Sequence, residues 1–400
     1  MDIPQGYKQT ELGIIPEDWE IVNLGSVAKI NGRIGFRGYT TADLVGVGQG
    51  AYTIGGKHIT NMVLDLHDAE YISWQKYYES PEIMVRKGDI VFAQRGTLGK
   101  SAFIVNDIGP ATINPSLVLI NKIKCDNEYL SYWLQCDKIV EYICSINSQT
   151  SIPMITQNQI EHIPVVLSRI KAEQQAIAEA LGDIDGLIAT LNKKIAKKRL
   201  IKQGAMSQLL TGKKRLPGFS GPWMERKLGA ISHIKTGSCN GDQAVDNGKY
   251  PFFVRSQKVY AIDSYSYDGE AILVPGEGGI GSIFHYINGK FDYHQRVYKI
   301  SDFADNVCGK YIFFYMSRYF GEYALSLTVK ATVDSLRLPT FEEFVICMPL
   351  NIEEQQAIAT ILNDMDKEID DLEAQRDKYR LLKSGMMQKL LTGQIRLKIK

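Results

Sequence analysis

Residues 173–212 read EQQAIAEALGDIDGLIATLNKKIAKKRLIKQGAMSQLLTG, and residues 354–393 read EQQAIATILNDMDKEIDDLEAQRDKYRLLKSGMMQKLLTG. The two stretches share one offset of 181 residues without a gap, and about half the positions from Glu173–Leu216 to Glu354–Leu397 are identical. A unit this long is far too large for a solenoid repeat and reads as duplication of a domain plus a helix.

The helical character follows from spacing. Ile177, Leu181, Ile184, Ile188, Leu191 and Ile195 recur at alternating steps of four and three, and Ile358, Leu362, Met365, Ile369 and Leu372 do the same. This is a heptad seam, and each helix wants a helical partner. Asn351 followed by Glu354 has the spacing of a capping box. Gly212 and Gly393 follow the last apolar pairs, where a left-handed cap would sit. Helices of roughly 38–40 residues result, about 57–60 Å long at ~1.5 Å per residue.

Charge selects the direction of pairing. The first helix is basic late, at Lys193, Lys194, Lys197, Lys198, Arg199 and Lys202. The second is acidic early, at Asp364, Asp366, Glu368, Asp370, Asp371 and Glu373. Antiparallel pairing sets these runs against each other, whereas two solvated faces would give the same composition. Exposed pairs contribute under ~1 kcal/mol each, so they choose direction rather than supply stability. Antiparallel pairing would put the globular parts at opposite ends of a rod, about an approximate twofold axis. Such a ruler suits a partner with two half-sites at fixed spacing, such as B-DNA.

Upstream the repeat is fainter. Trp19-Glu-Ile-Val-Asn-Leu24-Gly25 parallels Trp223-Met-Glu-Arg-Lys-Leu228-Gly229, and Gly88-Asp-Ile-Val-Phe-Ala parallels Gly269-Glu-Ala-Ile-Leu-Val. Each globular half mixes short β-rich runs with Gly, Asn and Asp turns and a few helices, such as 127–146 and 307–325. The fold class expected is α+β: two globular domains separated by two long antiparallel helices forming a coiled coil, with internal pseudo-twofold duplication. The boundaries expected are 1–168, 169–216, 217–350 and 351–400.

The 400-residue chain is 44% hydrophobic with net charge +1, so no overall basic excess points to nucleic acid. A basic face balanced elsewhere gives the same sum. Six scattered cysteines include no C-x-x-C pair and read as reduced thiols. Neither a secretory leader nor a membrane-length apolar run is recognisable, and the location expected is the cytoplasm.

Signatures of catalysis are missing: H-E-x-x-H, G-x-x-x-x-G-K-[ST] and G-x-S-x-G do not occur. Asn114-Pro-Ser116 lacks the second proline and aromatic of a methyltransferase box and reads as a loop entering a strand. Gly276-Glu-Gly278-Gly-Ile-Gly281 spells the dinucleotide fingerprint after a plausible strand. The next residues, Ser282-Ile-Phe-His-Tyr-Ile, read as another strand, so the helix N-terminus a phosphate site needs is absent. A hairpin turn is the reading that fits, and the matching stretch of the first half is Gln94–Lys100.

Polar and basic side chains gather in the turns of both halves. In the first they are Arg33, Arg37, Lys57, His58, Arg95, Thr97 and Lys100. In the second they are Arg255, Gln257, Lys258, His294, Gln295, Arg296, Lys330 and Thr332. Arg and Lys fork onto guanine edges, Gln and Asn onto adenine, and any of them onto phosphate. Such residues also fill solvated loops in proteins that bind no DNA.

The opening Gly6-Tyr-Lys-Gln-Thr-Glu-Leu-Gly-Ile-Ile-Pro16-Glu-Asp-Trp19-Glu resembles the start of specificity (S) subunits of type I restriction–modification systems. Pro349 before Glu354-Gln-Gln-Ala-Ile-Ala, the Leu-Leu-Thr-Gly helix ends and the domain–helix–domain–helix layout are similar too. The resemblance covers essentially the whole chain. It implies that each globular half is a target recognition domain reading half of a bipartite site in double-stranded DNA. It implies that the helices set the spacer and dock two modification (methyltransferase) subunits, and that restriction (motor and nuclease) subunits join for cleavage. S-adenosylmethionine, ATP and Mg would then belong to those partners, and the chain itself would have no catalytic residue, cofactor or metal. The matches at Glu173–Ala178 and Leu209–Gly212 imply two docking sites. Two other classes stay open: a protein–protein scaffold of two interaction domains on a coiled coil, and a stand-alone nucleotide-binding enzyme.

Overall fold

The computed structural model describes residues 3–60, 62–146, 153–279, 281–327 and 335–398. The chain divides into two compact units, residues 1–190 with 376–400, and residues 191–375. Two long helices, Lys171–Leu209 and Ile352–Leu390, each contribute one end to each unit.

In the first unit, Trp19–Asn23 pairs antiparallel with Pro164–Ser168, the strand that leads into the first long helix. Beside the small ladders Tyr7–Thr10 with Gly13–Pro16 and Ile59–Thr60 with Val63–Leu64, two four-stranded sheets form most of the β structure. One places Ile90–Ala93 between Ser101–Phe103 and Leu117–Asn121, with Lys29–Gly32 at its edge. The other orders Ala111–Ile113, Gly50–Ile54, Glu70–Ser73 and Leu44–Val45. The helical run expected over 127–146 is two helices, Asn127–Leu134 and Asp137–Ile146. Asp126 caps the first of them by accepting from the Tyr129 N–H at 2.8 Å.

The second unit repeats the entry and exit. Trp223–Lys227 pairs antiparallel with Val345–Pro349, the strand that leads into the second long helix. A six-stranded sheet runs His233–Thr236, Val297–Ser301, Tyr267–Pro275, His285–Tyr293, Tyr250–Phe253, Val259–Ile262. Helix Gly309–Leu327 covers it, burying Tyr311, Phe314, Met316 and Phe320.

Within each unit the long helices run antiparallel. In the first, Lys383 Nζ meets Asp185 at 2.7 Å, and Ile177 and Leu181 share a core with Met387, Leu390 and Leu391. In the second, Lys198 meets Glu368 at 2.6 Å, Lys202 meets Asp366, and Met206, Leu209 and Leu210 share a core with Ile358, Ala359 and Leu362. The late basic run of one helix thus faces the early acidic run of the other. Along the seam Ile177, Leu181, Ile184, Leu191, Ile195, Ile358, Leu362, Ile369 and Leu372 are buried, and Ile188 and Met365 are half-buried.

The second helix starts differently from the capping box expected. Asn351 Oδ1 accepts from the Glu353 N–H at 2.7 Å, but the Glu354 carboxylate turns inward to Arg215. At the helix ends, Gly212 and Gly393 take φ of 68° and 67°, as a left-handed cap requires. A Cβ on Gly212 would lie 3.1 Å from the Trp223 ring, and one on Gly393 2.5 Å from Pro16. The two caps therefore seat on matching segments of their own units.

Candidate nucleic-acid interface

The glycine run is a hairpin loop. Tyr267–Pro275 and His285–Tyr293 pair antiparallel on either side of it, so no helix begins there. Gly278, Gly279 and Gly281 take φ of 72°, 86° and 63°, open to glycine and strained for other residues. A Cβ on Gly281 would sit 2.5 Å from the Gly321 Cα, so the loop packs backbone-to-backbone on helix Gly309–Leu327.

The matching loop in the first unit has the same surroundings. It joins the antiparallel strands Ile90–Ala93 and Ser101–Phe103. Arg95 forms an isolated antiparallel bridge with Met154, and Glu277 forms one with Ser335. The Ile155 N–H donates to Gln94 O at 3.0 Å, and the Leu336 N–H donates to Gly276 O at 2.7 Å. One position in the duplicated fold therefore carries Arg95 in one unit and Glu277 in the other.

Most of the expected DNA-facing residues of the first unit border two recesses that share Arg95. Lys57, His58, Arg95 and Thr97 border one recess of about 310 Å³, together with Tyr39 and Asn114. Arg33 and Arg95 border a second of about 580 Å³. Arg95, Thr97 and Lys100 are exposed, and the Arg95 Nε donates to Met154 Sδ at 3.0 Å. Lys57 is half-exposed, with Nζ 3.7 Å from Asp68.

Arg33 is buried instead of reaching outward. Its Nε donates to Ile113 O at 3.2 Å, Nη2 to Thr112 Oγ1 at 3.0 Å and Nη1 to Arg37 O at 3.3 Å, so it props the turn that carries Arg37. Arg37 lies 3.6 Å from Glu82. His58 is also buried, and its Nδ1 accepts from the Gly55 N–H at 2.9 Å, which leaves the proton on Nε2. Burial, with Lys57 beside it, pushes this imidazole below its ordinary pKa. Asn114 Oδ1 accepts from the Ser116 N–H at 2.9 Å and from its hydroxyl at 2.6 Å. The Asn-Pro-Ser segment is thus a side-chain-closed turn into strand Leu117–Asn121.

In the second unit Arg255 and His294 border a recess of about 310 Å³ with Tyr260, whose ring lies 4.8 Å from Lys258 Nζ. Arg296 Nη1 donates to Glu277 Oε1 at 2.8 Å, and Arg255 Nη1 to Oε2 at 3.3 Å. His294 is buried and accepts on Nδ1 from the Arg296 N–H at 3.0 Å. Burial, then the charges of Arg255 and Arg296, hold it below its ordinary pKa. Gln295 Nε2 donates to Asn240 at 2.7 Å, and Gln257 is exposed. Lys330 and Thr332 lie outside the described residues.

Glu277 carries no sequence signal of its own, and its glycine neighbours dominate the local pattern. Tyr39 and Tyr260 carry no pattern at all. Exposed arginines, amides and aromatics around open recesses suit hydrogen bonding to base edges and phosphates.

A family model described as the type I restriction modification DNA specificity domain matches twice, over residues 16–198 and 221–379. The putative type I restriction enzyme MjaX specificity subunit of Methanocaldococcus jannaschii is 26% identical, with 98% of this chain and 97% of the relative covered. Among solved structures, the S subunit of a type I restriction–modification system from M. genitalium superposes with a TM-score of 0.66 at 14% identity, covering 98% of each chain. A chain from a structure describing complex assembly and conformational transition of the type I system gives 0.57 at 16% identity, covering 95% of this chain and 99% of that one.

Proposed function

The chain belongs to the type I restriction–modification DNA specificity family, and from that premise we propose that each unit reads one half of a bipartite double-stranded site. It is the DNA-specificity subunit of such a system, and catalysis lies in partner subunits. Residues 1–168 and 217–350 act as the two target recognition domains. The helical segments 169–216 and 351–400 set the unread spacer. The observation that carries this reading is the duplication itself, with two family matches ending 181 residues apart, at 198 and 379.

Two copies of a modification subunit dock on the helices, bringing S-adenosylmethionine, and restriction subunits bring ATP and Mg. The whole complex works in the cytoplasm. The sequence motifs expected to mark docking, around Glu173–Ala178 and Leu209–Gly212, bury Glu173, Gln174, Ile177, Ala178, Leu209 and Leu210. The repeats expose in common a later pair, Leu200–Ile201 and Leu381–Leu382, 68%, 46%, 77% and 50% exposed. Arg199 and Lys202 flank the first pair, and Arg380 and Lys383 the second. Each of these cations is paired with a carboxylate of the chain itself, Arg199 with Glu373, Lys202 with Asp366, Arg380 with Asp377 and Lys383 with Asp185, so the exposed apolar pair, present twice, is what fits two copies of one partly apolar partner surface.

Mapping N6-methyladenine genome-wide with and without this chain tests the reading. A bipartite motif that vanishes with the chain is the expected result. Replacing residues 1–168 by a homologous segment should alter one half-site, and inserting a helical turn in both long helices should change the spacer. A methylation pattern indifferent to the chain would overturn the assignment.

A further inference from the structure

Resting on that reading, we propose that Glu277 is a positioning residue that holds Arg255 and Arg296 as paired readers of guanine in the half-site bound by residues 217–350. One carboxylate takes both guanidiniums, Oε1 from Arg296 and Oε2 from Arg255. The glycine loop fixes the backbone that carries that carboxylate, because the Gly276 N–H donates to Arg296 O at 2.8 Å and Gly276 O accepts from the Leu336 N–H at 2.7 Å. The two arginine side chains are 52% and 59% exposed and Glu277 only 24%, so the carboxylate lies beneath and the forks lie outside.

Exposed pairs of this kind add little stability, and the fold does not need two of them at one loop tip. They do restrict rotation. A guanidinium held on one edge presents its remaining N–H groups as a planar fork, the shape that matches guanine O6 and N7. A carboxylate between the two arginines repels phosphate, which favours a base edge over the backbone as their target. The equivalent loop of the first unit presents a guanidinium directly, through Arg95. The duplicated hairpin thus offers arginine in both units by two different constructions.

The test uses the full chain assembled with its modification subunits, read by genome-wide N6-methyladenine mapping. The wild-type motif should contain guanine in the half-site that responds to these variants. Arg255→Lys and Arg296→Lys keep the charge and lose the fork. Each should lower methylation of the cognate site about 10- to 100-fold and relax the guanine position, with the other half-site unchanged. Glu277→Gln should relax the same position more weakly, and Glu277→Asp should restore part of the discrimination. A half-site without guanine, or lysine variants that keep the full motif, would overturn the proposal. A pattern unaffected by deleting the whole chain would instead overturn the assignment beneath it.

Discussion

Glu173 and Arg396 stand 223 residues apart and meet as a two-pronged ion pair, Nε to Oε1 at 2.6 Å and Nη2 to Oε2 at 2.9 Å. The second unit repeats it with Glu354 and Arg215, at 2.6 and 2.7 Å. The start of each repeated helix is therefore locked by the end of the other copy. Both glutamates are 1% exposed. Trp19 Nε1 also donates to Glu173 at 3.2 Å, as does the Ser168 hydroxyl at 2.5 Å.

Arg396→Ala should leave that carboxylate buried beside two neutral donors. The expected loss is about 2 kcal/mol, less than the ~3–5 of a fully buried pair because Arg396 is 37% exposed. Denaturant unfolding checks it. Glu173→Gln combined with Arg396→Ala should cost less than Arg396→Ala alone, since no bare charge then remains.

Gly281→Ala should destabilise more than Gly278→Ala. Both have positive φ, but a Cβ at Gly278 meets nothing nearer than 3.8 Å, whereas at Gly281 it enters the Gly321 backbone. Expected costs are about 1 kcal/mol at Gly278 and more than ~2 at Gly281. Equal melting temperatures would show that the loop does not pack on the helix.

Leu381→Asp with Leu382→Asp should leave the melting temperature of the isolated chain within a few degrees, because both side chains face solvent. The same change should remove one of two bound modification subunits, read by mass in solution. Retention of both subunits would count against the exposed pairs as docking anchors.

Stability should fall as pH drops below about 6.5. Burial holds His58, His285 and His294 below the ordinary imidazole pKa. The unfolded chain then binds more protons than the folded one, so stability rises with pH up to the unfolded value and levels off above it. Denaturation midpoints at pH 7.5 and 5.5 measure the slope, and His58→Gln should flatten it. An unchanged slope in that variant would assign the effect to other groups.

Much of this was legible because it was local. Heptad spacing depends on neighbours three and four residues away, and the direction of pairing followed from where Lys198 and Lys202 sit relative to Glu368 and Asp366. The hairpin at Gly276–Gly281 was legible because a strand pattern comes directly after it. The candidate interface was less so. Arg33 and Arg95 look alike in sequence, both being arginines in glycine turns, yet one hydrogen-bonds inward to Ile113 and the other is exposed. Glu277 became meaningful once Arg255 and Arg296 were found on its two oxygens.

The sequence alone determined the duplication and the two long helices, because identity at a fixed offset and heptad spacing are written along the chain, and its charge runs pointed to the antiparallel pairing that the ion pairs then fixed. Only the tertiary structure decided that the repeated Glu-Gln motif is an internal lock. It likewise decided which basic residues reach solvent and that one glutamate gathers two arginines. Those outcomes depend on contacts between residues tens to hundreds of positions apart, whose geometry is set by how strands and helices pack rather than by any local pattern.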